Sequence, residues 1–125
     1  MTRRDIDLAR RRLAHQQLLT PTLTDAAEVV RRLGAVQAQD YAGAKWAVGM
    51  RTRGAVDAVV EQGLSDGSIL RTHVLRPTWH FVTPADIRWM LALTAPRVKA
   101  TMAYYDRRWS ARRRTRVRRL SRAAG

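Results

Sequence analysis

The sequence predicts a mainly α-helical, winged-helix-like domain with one small β-hairpin, and three observations carry that expectation. Apolar residues recur at helical spacing as far as Leu64. At Ile69 the period changes from helical to alternating, in stretches of β-branched and aromatic residues. The segment Thr83-Pro84-Ala85-Asp86 then announces a new helix. Several helices followed by a two-stranded hairpin is the order of elements in a winged-helix unit.

Taken in order, residues 5–19 place Ile6, Ala9, Leu13 and the Leu18-Leu19 pair at helical spacing, with Arg10, Arg11 and Arg12 on the other faces; Thr20-Pro21 ends this helix. His15 falls inside it and is given no role. A second helix carries Ala26, Val29, Val30 and Leu33, with Thr24 as N-cap and Gly34 as its stop. A third runs from about Tyr41 to near Arg51, with Asp40 placed to cap it. A fourth carries Val56, Val59, Val60 and Leu64, closed by Gly63 and the Ser65-Asp66-Gly67 turn.

Residues 69–75 and 78–82 read as the two strands of the hairpin, joined by Arg76-Pro77. One parity lines up Arg71, His73 and, on the second strand, His80, and the other lines up apolar side chains. Such a hairpin is either a flap with one face on the core or a wing that touches nucleic acid. As a wing its contacts are Arg71, His73, Arg76 and His80. Thr83 then caps the last helix, Pro84 takes its first position and Asp86 reaches back to the cap. Ile87, Met90 and Leu91 form its apolar stripe, Pro96 restarts or kinks it, and Val98, Met102 and Tyr105 carry it toward Arg108.

A chain of 125 residues is one domain's worth, and 46% apolar with 27% charged residues describes a folded protein. No apolar run approaches a membrane span and the start lacks a signal-peptide core, so a cytoplasmic location is expected. There is no cysteine, and His15, His73 and His80 lack ligand spacing, so no metal and no cofactor is expected. The net charge of +14 is unevenly spread: residues 1–100 hold 15 Lys+Arg against 9 Asp+Glu, and residues 101–125 hold 9 against 1. Arginine dominates, which suits phosphate recognition and makes double-stranded DNA the partner to test, although a GC-rich genome gives the same bias.

Between the second and third helices stands Leu33-Gly34-Ala35-Val36-Gln37-Ala38-Gln39-Asp40. Gln37 and Gln39 would diverge by about 200° on a helix but share a side of an extended segment. Each amide carries an acceptor oxygen and two donor hydrogens, so the pair can hold a water or a sugar-phosphate edge without charge. The alternative is that both bridge backbone at a turn.

Two segments, Gly34-Ala35-Val36-Gln37-Ala38-Gln39-Asp40 and Arg71-Thr72-His73-Val74-Leu75-Arg76-Pro77-Thr78-Trp79-His80-Phe81-Val82, resemble the N-terminal part of the AlkZ-like winged-helix DNA glycosylases. The resemblance runs from about Leu8 to about Arg108. It implies a monofunctional glycosylase that hydrolyses the N-glycosidic bond of alkylated or cross-linked bases, with Gln37 and Gln39 as catalytic residues. Members of that family are longer and resemble several winged-helix units in tandem, so this chain resembles one unit and the helices after it. The reading from a different class is a non-catalytic winged-helix DNA-binding module, and an RNA-associated basic protein is suggested only by the end of the chain.

The expected division is a winged-helix-like domain over residues 1–108 and a basic tail over residues 109–125. The run Arg112-Arg113-Arg114-Thr115-Arg116-Val117-Arg118-Arg119 has too few apolar groups to join a core, so the tail is expected to be disordered or the product of a truncated or frame-shifted gene. It lies outside the resemblance.

Overall fold

The computed structural model describes residues 2–54, 56–75 and 77–123, with side chains described as far as residue 103 and at 105, 107 and 109. Its described elements are α1 (Arg3–His15), α2 (Ala26–Leu33), β1 (Val36–Gln37), α3 (Tyr41–Gly49), α4 (Asp57–Ser65), β2 (Leu70–His73), β3 (Trp79–Val82) and α5 (Pro84–Ala123).

The Thr2–Asp5 capping box opens α1, which starts earlier than expected. It also ends earlier, at His15. Gln17 takes a φ of 57°, and its side-chain oxygen accepts both the N–H (3.2 Å) and the hydroxyl (2.9 Å) of Thr22. Leu18 and Leu19 therefore lie beyond the helix. No residue of α1 is buried, so its apolar stripe does not feed the core.

Asp25 caps α2 rather than Thr24, because its Oδ1 is the atom that accepts the Ala27 N–H at 2.9 Å. Gly34, with φ of 77°, ends that helix as expected. Asp40 occupies the N-cap position of α3 but makes no side-chain cap bond. Gly63 does not close α4 and lies inside it, where the missing side chain admits Ile69; a Cβ there would stand 3.0 Å from the Ile69 Cδ1. The chain turns at Gly67, with φ of 81°.

The sheet is wider than a hairpin. Strand β1 pairs antiparallel with β3, giving the order β1-β3-β2. The glutamine segment is thus a third strand, which alternation could not reveal because only two of its residues pair. Strands β2 and β3 are also shorter than expected. Three helices interleaved with this sheet give a winged-helix-like arrangement, with α4 just before the β2–β3 wing.

Each sheet face has its own apolar cluster. Phe81, Ile69 and Ala38 pack with Ala26, Val29 and Val30 of α2, Ala44 and Val48 of α3 and Val60 of α4. On the other face Val82 and Val74 meet Met90 of α5, with Ala35, Leu70 and Ile87 at the margin. Phe81 is fully buried, which contributes roughly 2–3 kcal/mol. Phe81→Ala would cost about 3–5 kcal/mol once the cavity is included.

At the head of α5 Thr83 takes the position before Pro84, its carbonyl accepts the Ile87 N–H, and its hydroxyl donates to the Asp86 carboxylate at 2.7 Å, so Asp86 reaches back to it as the sequence predicts. Pro96 neither stops nor restarts this helix, which runs through it to Ala123. The helix forgoes the bond that an N–H at position 96 would make to the Ala92 carbonyl. Its backbone likewise continues without a break across residues 108 and 109. No helix among the described residues is long and apolar enough to cross a membrane.

Candidate functional site

The glutamine segment is extended because Gly34 stops α2 and β3 then pairs with Val36 and Gln37. The register aligns Val36 with Phe81 and Gln37 with His80, and the Ala38 N–H donates to the Trp79 carbonyl at 2.7 Å. Ala38 is fully buried while Gln37 and Gln39 on either side of it are exposed. The alternation of exposure that the spacing predicts is therefore present, although β1 ends at Gln37 and Gln39 already lies in a bend beyond it.

The two amides are held differently. Gln39 Oε1 accepts the Trp79 N–H at 3.3 Å, a bond that the Ala38 carbonyl would take in a regular ladder. That carbonyl instead accepts from Arg71, whose Nε and Nη2 lie 3.2 and 3.0 Å away. Among the described residues Gln37 has no side-chain hydrogen bond.

Arg71 does not project outward as a wing contact. Its guanidinium lies 4.7 Å from the centre of the Trp79 ring and 5.4 Å from that of Tyr41, behind the glutamine segment. His73 pairs with Trp79 in the register, and their rings stack with centroids 4.1 Å apart at 35°. His73 remains exposed at the end of β2.

His80 is on the other face. It pairs with Thr72 and Gln37, whereas Arg71 pairs with Phe81, so the expected line of Arg71, His73 and His80 does not exist. The difference lies in the parity of the second strand, which no feature of β3 alone fixes: pairing Arg71 with Phe81 puts His80 beside Thr72. His80 is only 3% exposed, and its Nδ1–H donates to the Thr78 carbonyl at 2.9 Å. A carbonyl can only accept, so this contact fixes the proton on Nδ1 in the neutral ring. Arg76 lies outside the described residues.

Trp79, Tyr41 and Thr78 were not singled out by sequence reasoning. Trp79 supplies the ring on which Arg71 and His73 both rest and the N–H that Gln39 accepts; only the strand register could have revealed this. The Thr78 hydroxyl oxygen is buried without a hydrogen-bond partner among the described residues.

The start of α3, immediately after Gln39 and Asp40, is tied to α4. Lys45 Nζ lies 2.9 Å from Asp57 and 2.8 Å from Glu61, and the Tyr41 hydroxyl donates to Glu61 at 3.0 Å. The Lys45 contact, followed by the Tyr41 hydrogen bond, holds the Glu61 carboxyl below its ordinary value. Desolvation and then Glu61 push the Tyr41 phenol up, and Glu61 and then Asp57 push Lys45 up. Among the described residues no group of three side chains is arranged to hold a metal.

The chemistry at this edge is neutral: two exposed amides at and just beyond the end of β1, with arginine used as a strut behind them and the His73–Trp79 stack on the opposite sheet face. Such a set can orient water and hydrogen-bond a nucleotide, and the carboxylate next to it in the chain is Asp40.

The comparison with curated proteins found no match. The solved structure of the Streptomyces sahachiroi DNA glycosylase AlkZ is similar, with a TM-score of 0.55 and 32% identity over 59% of this chain and 20% of that one. This chain thus spans about a fifth of the glycosylase's length. The sequence profile described as DNA glycosylase AlkZ-like matches residues 30–124. That match begins later than the resemblance seen in the sequence and includes the basic stretch that was expected to lie outside it. With most of the chain matched, it belongs to the AlkZ-like DNA glycosylase family.

Proposed function

We propose that this chain is a DNA-binding unit of a monofunctional DNA glycosylase that hydrolyses the N-glycosidic bond of an alkylated or cross-linked base. The observation that carries the reading is the exposure of Gln37 at the end of the edge strand β1 and of Gln39 just beyond it, with the buried Ala38 between them.

A cationic alkylated purine is already an activated leaving group, so it departs with the bonding electron pair and leaves positive charge on the sugar. Water adds to the anomeric carbon and releases a proton to solvent. The site needs to hold that water and stabilise an oxocarbenium-like sugar. The Gln37 carbonyl oxygen can accept from the water and face the developing charge. A strong general base matters less when the leaving group is activated.

One observation favours a non-catalytic DNA-binding module instead: Gln39 spends its oxygen on the Trp79 backbone, as a turn-bridging residue would. The test is single-turnover base release from duplex DNA carrying an alkylated purine, using this chain alone and this chain joined to the remaining units of the Streptomyces glycosylase. The chain alone is expected to bind weakly and release no base, because flipping a nucleotide needs a channel that grips both flanks. The joined protein is expected to release base, and Gln37→Ala to stop it. Equal release by the Gln37→Ala form would leave the binding module as the correct reading.

A further inference from the structure

The strand pairing between Ala38 and Trp79 is half open, and two side chains complete it. The Ala38 N–H keeps its ladder bond to the Trp79 carbonyl at 2.7 Å. The reciprocal bond is replaced by two others: Arg71 takes the Ala38 carbonyl through Nε and Nη2, and Gln39 Oε1 takes the Trp79 N–H. Arg71 is itself placed by the Trp79 and Tyr41 rings.

We propose that Arg71 is a positioning residue for Gln39, and that this exchange of partners makes Gln39 a pure hydrogen-bond donor toward the nucleic acid. A backbone N–H can meet only the oxygen of an amide. With that oxygen engaged, the two N–H bonds of Gln39 are what it can offer outward, and their partner must be an acceptor such as a phosphate, sugar or base-carbonyl oxygen. Gln37 has no such tether and keeps an amide oxygen available for water or positive charge. The two glutamines therefore divide donor and acceptor work. The division rests on the function proposed above, whereas the control of Gln39 by Arg71 does not.

Removing the guanidinium frees the Ala38 carbonyl, and the Trp79 N–H can then return to it as in an ordinary antiparallel pair. Gln39 then loses the Trp79 N–H although its own side chain is unchanged. Lysine at position 71 keeps one donor for the carbonyl and is the conservative rescue.

The experiment is ¹⁵N-resolved NMR of the full 125-residue chain without DNA. In the wild-type protein a through-hydrogen-bond coupling should join the Trp79 nitrogen to the Gln39 side-chain carbonyl carbon. In Arg71→Met the Gln39 side-chain amide pair should move to the position of a free glutamine, the Gln37 pair should stay, and the coupling should vanish; Arg71→Lys should restore the coupling. Gln39→Ala should speed exchange of the Trp79 amide about tenfold, the scale of one lost hydrogen bond. An unmoved Gln39 pair in folded Arg71→Met would overturn the proposal. If Arg71→Met does not fold, absence of the coupling in the wild-type chain overturns it equally. A negative base-release assay beside a positive coupling would remove the catalytic reading and leave the positioning role standing.

Discussion

Gln37 and His80 are direct partners across β1 and β3, on the sheet face that α5 partly covers, while Arg71 and His73 lie on the opposite face. Because the Ala38–Trp79 pair carries a ladder bond, the Gln37–His80 pair is of the non-bonded kind, in which side chains stand closest. A buried imidazole beneath an exposed amide is a structural support. It is poorly placed to reach phosphate.

His80→Ala is therefore expected to act on stability. It removes a buried ring and leaves the Thr78 carbonyl without its donor, a loss of about 2 kcal/mol. Thermal melts should record the loss, and the salt dependence of DNA binding should keep its slope. A flatter slope with an unchanged melt would show that His80 meets phosphate after all.

The two glutamines should separate in the same measurement. Gln37→Ala removes no hydrogen bond within the described residues and should leave the melting temperature unchanged. Gln39→Ala orphans the Trp79 N–H and should cost about 1 kcal/mol. In the completed enzyme either substitution should cost on the order of 2–4 kcal/mol of transition-state stabilisation. The double variant should be little worse than the worse single one, because groups holding one reacting assembly act as a unit. Loss of stability in strict proportion to activity in both variants would make both glutamines turn residues.

How much of the fold and site was legible in the sequence depended on whether a feature was local. The contact between Thr83 and Asp86, the stop at Gly34 and the exposure of Gln37 and Gln39 on either side of Ala38 each arise from a few neighbouring residues, and each appears in the structure. The role of Arg71 was not legible, since it depends on the register of β2 against β3 and on Ala38, a residue 33 positions away. The same register decided the face of His80. Of the two outcomes expected at Pro96, a restart or a kink, the restart does not occur, because α5 continues on either side of it.

The helix that precedes the wing, α4, carries Asp57 and Glu61 and no lysine or arginine. In helix-turn-helix proteins the corresponding helix enters the major groove, which a pair of carboxylates opposes. Both carboxylates instead bind Lys45. Glu61 is held below its ordinary value of 4.5, so its stabilising contribution is complete above that value and is lost as pH falls through its lowered folded value. Glu61→Gln should therefore flatten the acid limb of stability against pH below about 4.5 and leave DNA affinity at neutral pH unchanged or slightly raised. A fall in affinity would assign α4 to the groove.

The charge of the last 25 residues gives the final prediction. Residues 101–125 hold 9 Lys+Arg against 1 Asp+Glu, while the lone lysine of α3 and the central wing arginine are spent inside the protein on Asp57, Glu61 and the Ala38 carbonyl. Phosphate neutralisation must then draw on the remaining cations, and seven of them fall between Arg112 and Arg122. Each phosphate contact contributes about 0.9 to the slope of log affinity against log salt. Deleting residues 109–125 should flatten the slope on duplex DNA, in proportion to the number of phosphates no longer neutralised, and should leave the melting temperature of the domain unchanged. An unchanged salt slope after the deletion would place the phosphate contacts on the arginines of α1, α2 and the head of α5, and the basic stretch would then serve something other than duplex binding.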